Sequence, residues 1–585
     1  MCGICGIFGS SDYPLIEKMT LSISHRGPDA STCKIVRGRH ALGGARLHIT
    51  GEKDVPFPYF REKDGVHVLL NGEIYNYQYW REQLTGLGYT FTTGTDTEVV
   101  WALYHEYGPY FVEKLKGMFA IAILDGDKLI LVRDRMGIKP LYYYQQSDKM
   151  AFASEIKAIL RFAEKTPDLN IPVLQEILTF GYIYTQDETL FAGIKQVRPG
   201  ETLIYDGRES QRYYYYQPTR AFSLDETPAD YTTQKLLLSQ LLPGCMDSIL
   251  RQGEQEKGVF LSGGVDSSLM ALLAKETTGH VTTFTLADSP DAPDLSWARK
   301  VATALRSDHH EFKVDINDYL SELPRFVYHY ENIVAGGVFD LQGGIAFHLL
   351  CQRASQYVRV VLTGEGADEL FGGYYWTYTH PLGFADRIRT RLKQATRNNH
   401  NARLNYYVEQ LFPQPEEENL YRKNVFDALL KGGLSNYHLW SVDRSCGAFG
   451  FEIRPFYLHD DIVNLALNIP VDYKVAPSNV TKLILKDVAS TYFARYGLED
   501  VAIRQKFGMP SALNQLNVKF NELIGKYIRD DYYGSHPYSG FLTSKQDVFM
   551  FDLFYYIFFH NRGHFDPVFN LEEAVAGGIF ENMYR

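Results

Sequence analysis

The chain has little cysteine for its 585 residues, only six, at positions 2, 5, 33, 245, 351 and 446. They are scattered along the chain, so they make no disulfide framework, and a reducing compartment is the expectation. No second Cys-x-x-Cys accompanies Cys2 and Cys5 to complete a four-ligand zinc site. Long apolar runs are also missing. The longest, Val548 to Phe559, contains Asp552 and falls short of the ~20 residues that a bilayer span needs. It predicts a buried aromatic helix. The N-terminal stretch has neither a basic region nor an apolar one, so no signal peptide is expected, and the chain reads as cytoplasmic and without a membrane partner. Positive charge is in deficit, with 59 basic against 70 acidic residues and a net charge of −11, which argues against a nucleic-acid partner. The length predicts two or three domains.

What is present is organised around Val259 to Ser268. An apolar run enters two glycines, a carboxylate follows among hydroxyls, and Leu269 to Ala274 reads as a helix. A strand, a glycine turn and a helix start make an anion site, because the first N–H groups of a helix lack intrahelical partners and carry the positive end of its dipole. Gly263 and Gly264 let the backbone come close to a ligand. Asp266 would repel a bare phosphate, so its natural partner there is Mg²⁺. No Gly-Lys-Ser/Thr is present, which excludes a Walker A loop. The bland alternative is a Gly/Ser turn between strand and helix. Ser-Gly-Gly-Val-Asp-Ser-Ser, residues 262–268, resembles the PP-loop of ATP pyrophosphatases, which activate a substrate as an adenylate and release pyrophosphate.

The first domain is expected over residues 1–207. Removal of Met1 would leave Cys2 with a thiol nucleophile and an α-amine able to act as its base. On this stretch alone, a redox pair or half a metal site fits Cys2 and Cys5 equally well. Further motifs follow in order: His25 to Asp29 in a turn, Arg46 after two glycines, Leu69 to Asn76 as a strand breaking into a glycine turn, Asp96 in the first turn of a helix, and Gly117 to Asp125 paired with Leu129 to Arg135 as buried strands. Each has an ordinary reading alone, Arg46 as a surface arginine and Asp96 as a helix N-terminal carboxylate. Together they resemble the class II glutamine amidotransferase domain, an N-terminal-nucleophile hydrolase with a layered α+β fold. The resemblance implies that Cys2 attacks the glutamine side-chain amide and that Arg46 grips the substrate α-carboxylate. It implies that Asp96 holds the α-ammonium and that Asn71 and the Gly72 backbone form the oxyanion hole, with Glu73 in the same binding loop. A cation for a carboxylate and fixed donors for a developing oxyanion suit those tasks. Cys5 is then a buried structural residue.

Residues 208–228 read as a linker, whose Tyr213 to Tyr216 run would pack between domains. Residues 229–585 read as a second domain. Leu237, Leu238, Leu241 and Leu242 predict an amphipathic helix that Pro243-Gly244 kinks or ends. Strands alternating with helices predict a parallel sheet with nucleotide at the strands' C-terminal ends. Val358 to Thr363 enters Gly364-Glu365-Gly366-Ala367-Asp368-Glu369, where an acidic helix start is the plain alternative. This stretch resembles the signature of asparagine synthetases. The fold class is therefore an α+β N-terminal-nucleophile hydrolase domain followed by an α/β PP-loop ATP pyrophosphatase domain.

That resemblance implies a glutamine-dependent, ATP-consuming amide synthetase with Mg²⁺. Leu261 and Leu286 would frame adenine, and Ser262, Gly263, Gly264, Ser267, Thr363 and Gly364 would complete the ATP site. Asp266 and Asp368 would hold Mg²⁺ on pyrophosphate, Glu365 would act as general base, and Lys482 would neutralise the α-phosphate. Glu452 and Arg454 read as a structural ion pair, and Arg504 to Pro510 matches a further segment. Lys486 stands where the family usually has arginine, which removes a bidentate contact. The partners are small molecules: glutamine, ATP and a carboxylate acceptor, with a homodimer compatible. Aspartate is the first acceptor expected. However, Gly336, Gly337 and Phe339 replace the family's Thr-Thr and Arg in the stretch from Glu331 to Phe339. That loss of a cation predicts weaker use of aspartate, or an acceptor such as a sugar acid or a natural-product carboxylate. A cyclase or a non-catalytic homologue ranks below these.

Overall fold

The computed structural model describes the chain except residues 53–54, 56, 58, 61–64, 219–228, 334–337, 375–376, 378–379, 398, 413–423, 425–426, 477–479, 505–512, 567–568 and 585. The first domain has two six-stranded sheets face to face. One runs in the order Lys195–Gln196, Tyr142–Gln146, Lys149–Ala153, Gly3–Phe8, His40–Arg46 and Ala30–Val36. The other runs Ser210–Tyr214, Glu201–Tyr205, Lys128–Arg133, Gly117–Asp125, Val66–Ile74 and Tyr59–Phe60. Alternation along the strands explains the layering. Ile4 and Phe8 meet Leu69, Ala120 and Leu131 between the sheets, while Cys5 and Ile7 face Ile16 and Met19 of the helix Tyr13–Ser22. Val68 and Leu70, on the outer side, pack on Val99 and Leu103 of the helix Asp96–Tyr107. Both faces of these strands are buried, which is why they read as continuous apolar runs. This is the layered α+β domain expected, and Cys5 is buried in it.

The sheet outlasts the expected boundary at residue 207. Ser210–Tyr214 pairs antiparallel with Glu201–Tyr205, placing Tyr213 and Tyr214 in an edge strand. Of the four tyrosines, Tyr216 reaches the second domain, its hydroxyl donating to Asn464 Oδ1 at 3.4 Å.

The second domain has a five-stranded parallel sheet in the order Asp308–Lys313, Thr282–Ala287, Lys257–Phe260, Val360–Thr363 and Glu452–Pro455. Helices connect the strands, as the alternating pattern predicts. Pro243 neither ends nor interrupts its helix, which runs from Tyr231 to Leu250. A proline leaves the carbonyl four residues back without its N–H donor. Here that carbonyl, Ser239 O, accepts the Tyr492 hydroxyl at 2.7 Å. The aromatic run near the C-terminus forms the helix Lys545–Tyr555 and continues to His560. Phe554, Phe558 and Phe559 close on Phe191 of the first domain. Asp552, buried in this helix, accepts the hydroxyls of Tyr532 at 2.8 Å and Tyr584 at 2.7 Å, and lies 2.9 Å from His536 Nε2.

The domains meet through a buried ion cluster. Arg26, Glu155 and Lys157 come from the first domain, and Glu331, Asp443 and Arg444 from the second. Arg26 Nη1 lies 2.8 Å from Glu155 and 2.9 Å from Asp443. Lys157 Nζ reaches Glu155 and Glu331, and Arg444 Nη2 lies 2.9 Å from Glu331. Each charge is withdrawn from water, so removing one partner leaves an uncompensated ion. We expect Arg444→Met to lower the unfolding midpoint, with a loss of ~3–5 kcal/mol in denaturant unfolding. Arg444→Met with Glu331→Gln should cost less than the sum of the two single changes. An additive double variant would show that the two charges are not coupled.

Candidate active sites

Cys2 stands one residue before the strand Gly3–Phe8, whose partner strand ends at Arg46. The Cys2 thiol donates to Leu47 O at 3.7 Å, and burial pushes its pKa up. Arg46 is nearly buried, and its Nη2 donates to Glu52 O at 2.8 Å. Asn71, Gly72 and Glu73 lie in the strand Val66–Ile74. Gly72 has φ of +139°, and a Cβ there would stand 1.9 Å from Met118 O, so the strand passes only with glycine. Asp96 opens its helix behind the Thr95 cap and accepts Ile74 N–H at 3.1 Å. Glu73 accepts the Thr50 hydroxyl at 2.6 Å. The predicted residues thus come from the ends of two paired strands of one sheet, from a strand of the facing sheet and from a helix start. Both amide atoms of Asn71 are buried without a hydrogen-bond partner among the described residues. That is an expensive arrangement unless a ligand completes it.

Burial, with the neighbouring Glu452 and the two groups' mutual repulsion, holds the carboxyls of Glu73 and Asp96 above the usual carboxylate range. A ligand ammonium would relieve that repulsion. Met1 is fully buried, and burial lowers its α-amine to about 5. The amine sits on Met1 here, so it reaches Cys2 only after Met1 is removed.

In the second domain, the strand Lys257–Phe260 leads into Leu261 and the helix Val265–Thr278 starts with Gly264 as its N-cap. No side chain caps it, so its leading N–H groups are left for a ligand. A cavity of about 380 Å³ lies over this start. It collects Leu261, Ser262, Asp266, Ser267, Leu286, Thr363, Gly364, Glu365 and Asp368 from three separate segments. Gly263 and Gly264 support the loop beneath it without lining it. Lys482 adopts a left-handed backbone, φ +57°, unusual for a lysine. That turn sets its Nζ 2.5 Å from Asp266 and 2.7 Å from Asp368. Burial alone would lower the Lys482 pKa, but the two carboxylates outweigh it and raise it. Gly373 makes room for this contact, since a Cβ there would meet Asp368 Oδ1 at 1.7 Å. Asp266 Oδ1 is buried without a hydrogen-bond partner among the described residues, so it fits a cation beyond Lys482.

Several contacts were invisible in sequence. Arg26 Nε donates to Cys2 O at 3.1 Å while its guanidinium holds Asp443, tying the expected nucleophile to the second domain. Arg454 does pair with Glu452, at 2.9 Å, but it also comes within 3.9 Å of Glu73. Tyr374 donates to Glu369 at 2.6 Å and lies 2.9 Å from His438 Nε2, and His438 Nδ1 lies 3.8 Å from Glu365. No spacing announces these partners, because they sit up to several hundred residues apart. Glu331, read at first as part of the acceptor stretch, is spent on the interdomain cluster and accepts Ile156 and Lys157 N–H groups. Gly336 and Gly337 lie outside the described residues, as does the Phe339 side chain and the segment 505–510. Lys486 is half-buried, one turn beyond Lys482, and does not line the cavity.

Residues 1–216 match the family described as glutamine amidotransferase domain, and residues 238–546, more than half of the chain, match asparagine synthase. The chain belongs to the asparagine synthase family. Asparagine synthetase (glutamine-hydrolysing) 1 of Bacillus subtilis is 33% identical over 411 residues, covering 67% of this chain and 62% of that protein, just under two thirds of its length. Asparagine synthetase B of Escherichia coli is 29% identical, covering 86% of this chain and 81% of its own. A probable asparagine synthetase of Schizosaccharomyces pombe is 32% identical, covering 81% and 77%. A glutamine amidotransferase domain and an asparagine synthase domain are thus present in one chain. No described helix is long and apolar enough to cross a membrane.

The raised pKa of Asp96 has a kinetic consequence. Its charge is lost as pH falls through a value above the ordinary aspartate pKa of about 3.9. The KM for glutamine should therefore rise on acidification earlier than an ordinary aspartate would allow, with kcat less affected. Asp96→Asn should show a high KM without that pH dependence. An unchanged profile in the variant would remove Asp96 from glutamine binding.

Proposed function

We propose that this protein hydrolyses glutamine at Cys2 and uses the ammonia to convert aspartate to asparagine through an adenylate formed from ATP. The observation that carries the reading is the single cavity in which nine residues expected from the sequence meet over an uncapped helix start. In the first site, Cys2, freed of Met1, attacks the glutamine amide with its own α-amine taking the thiol proton. Asn71 Nδ2 and the Gly72 N–H receive the oxyanion. Arg46 and Asp96 hold the two charges at the other end of the substrate, where uniform binding sets KM.

In the second site, Leu261 and Leu286 sandwich adenine, and the N–H groups at the start of the helix Val265–Thr278 face the phosphates. The residues fit Mg²⁺: Asp266, with its unpartnered oxygen, and Asp368 would hold it. Such an ion would supply charge neutralisation at the pyrophosphate leaving group. Lys482 then leaves the carboxylates for the α-phosphate. Glu365 takes the proton released as ammonia attacks the acyl adenylate, assisted by the nearby His438.

Cys2→Ala should abolish glutamine hydrolysis while asparagine synthesis from added ammonium persists, read by product chromatography. Hydrolysis that survives in this variant would overturn the nucleophile. Asp266→Asn should stop ATP–pyrophosphate exchange. Glu365→Gln should spare exchange more than amide formation, and equal loss of both would give Glu365 another role. Pyrophosphate release measured across a panel of carboxylates tests the acceptor. The expected result is release with aspartate and little with sugar acids, and the reverse order would refute aspartate.

A further inference from the structure

The seam between the domains holds a group of side chains that neither active site uses. Cys245 lies on the helix Tyr231–Leu250, and His459 and Asp461 lie at the start of the helix Asp460–Asn468. A thiol, an imidazole nitrogen and a carboxylate oxygen from these three lie within 4.8 Å of one another. Cys245 and His459 are buried, 2% and 4% exposed, whereas Asp461 reaches solvent. The ordinary role of a buried cysteine is to fill space. This one faces polar neighbours, yet its thiol makes no hydrogen bond among the described residues. His459 is held in one orientation: its Nδ1 accepts Asp461 N–H at 3.3 Å, and its ring stacks on Tyr75, with centroids 5.8 Å apart and planes 6° apart.

We propose that Cys245, His459 and Asp461 form a site for a divalent cation of zinc's softness, with water as the fourth ligand. Sulfur, imidazole and carboxylate together are a zinc donor set, and soft sulfur selects against Mg²⁺ and Ca²⁺. On binding, the Cys245 S–H bond breaks, its proton passes to the buffer, and the thiolate bonds the metal with no change in oxidation state. The site has a built-in competitor. Lys116 Nζ donates to both Asp461 oxygens, at 2.7 and 3.0 Å. A divalent ion takes that carboxylate and releases the Lys116 ammonium, already 42% exposed, into water.

Lys116 belongs to the first domain, so this exchange reaches the glutaminase side. Its carbonyl accepts Tyr75 N–H at 2.8 Å, and Gly117 N–H donates to Asp460 at 2.8 Å. Tyr75 directly follows the strand that carries Asn71. Resting on the amide-synthetase reading, bound metal lowers glutamine-dependent synthesis more than ammonium-dependent synthesis.

Cobalt(II) titration of the full chain tests the site itself, in a Cys2→Ala, Cys33→Ser background that removes the two thiols that are not buried. The expected result is a thiolate-to-cobalt charge-transfer band with the visible bands of tetrahedral cobalt, saturating at one ion per chain and displaced by Zn²⁺. Cys245→Ser should abolish the charge-transfer band. Asp461→Asn, at the surface and safe for folding, should weaken cobalt binding by at least ~10-fold. Lys116→Met should tighten it, because the competing ammonium is gone. No thiolate band in the parent, or a band that survives Cys245→Ser, overturns the site, and unchanged affinity in Lys116→Met overturns the competition. Cobalt absorption needs no turnover, so failure here leaves the enzymatic reading intact, and failure of the synthetase assays leaves the metal site intact.

Discussion

Six charges buried between the domains constrain everything else in this chain. Arg26, Lys157 and Arg444 meet Glu155, Glu331 and Asp443 where water does not reach. Charges so placed tolerate one arrangement, because a shift of either domain would strand an ion in a low dielectric. The Arg444 guanidinium is further pinned over the rings of Tyr142 and Trp440, one from each domain. An apolar seam of equal area would hold the domains as well, but it would permit sliding. The ionic seam sets register, and the proposed two-site reaction depends on register.

The same seam reaches into both sites. Arg26 contacts the carbonyl of Cys2 and the carboxylate of Asp443 with one guanidinium. Arg454, in the edge strand of the parallel sheet, approaches Glu73 in the strand proposed to bind glutamine. A glutaminase that worked without its partner would waste glutamine. Here the carboxylates expected to bind the substrate are partly controlled by an arginine from the synthetase domain, so the two halves share one electrostatic environment. The cluster of Cys245, His459 and Asp461 with Lys116 lies on this boundary too, where a change of cation would be felt on both sides.

The synthetase site shows how a charged site is kept folded before substrate arrives. Asp266 and Asp368 would repel one another across the cavity. Lys482 stands between them, on a left-handed backbone that the surrounding packing enforces. In the proposed reaction a metal–nucleotide complex would displace this ammonium and free the lysine for the α-phosphate.

Local chemistry was legible in the sequence wherever function depends on the backbone within a few residues. Although Gly72, expected in a turn, lies within the strand Val66–Ile74, Gly263-Gly264 before a helix and Asp96 in the first turn of one carry their geometry in their own spacing. The paired strands from Gly117 to Arg133 and the aromatic helix after Val548 did so through periodicity alone. Interactions between distant segments were not legible. The helix through Pro243 survives because Tyr492 supplies the missing donor from 249 residues away, and no local rule contains that tyrosine. Glu331 looked like part of an acceptor stretch until the fold set it against Lys157 and Arg444. Arg26, Arg454, His438 and the Cys245 cluster acquire meaning only from neighbours in other segments. The sequence by itself determined which chemistries the chain can carry, because propensity, capping and turn geometry act over a few residues. Tertiary structure decided which charges face one another, because the cost of burying an ion depends on whatever partner the folded chain brings to it.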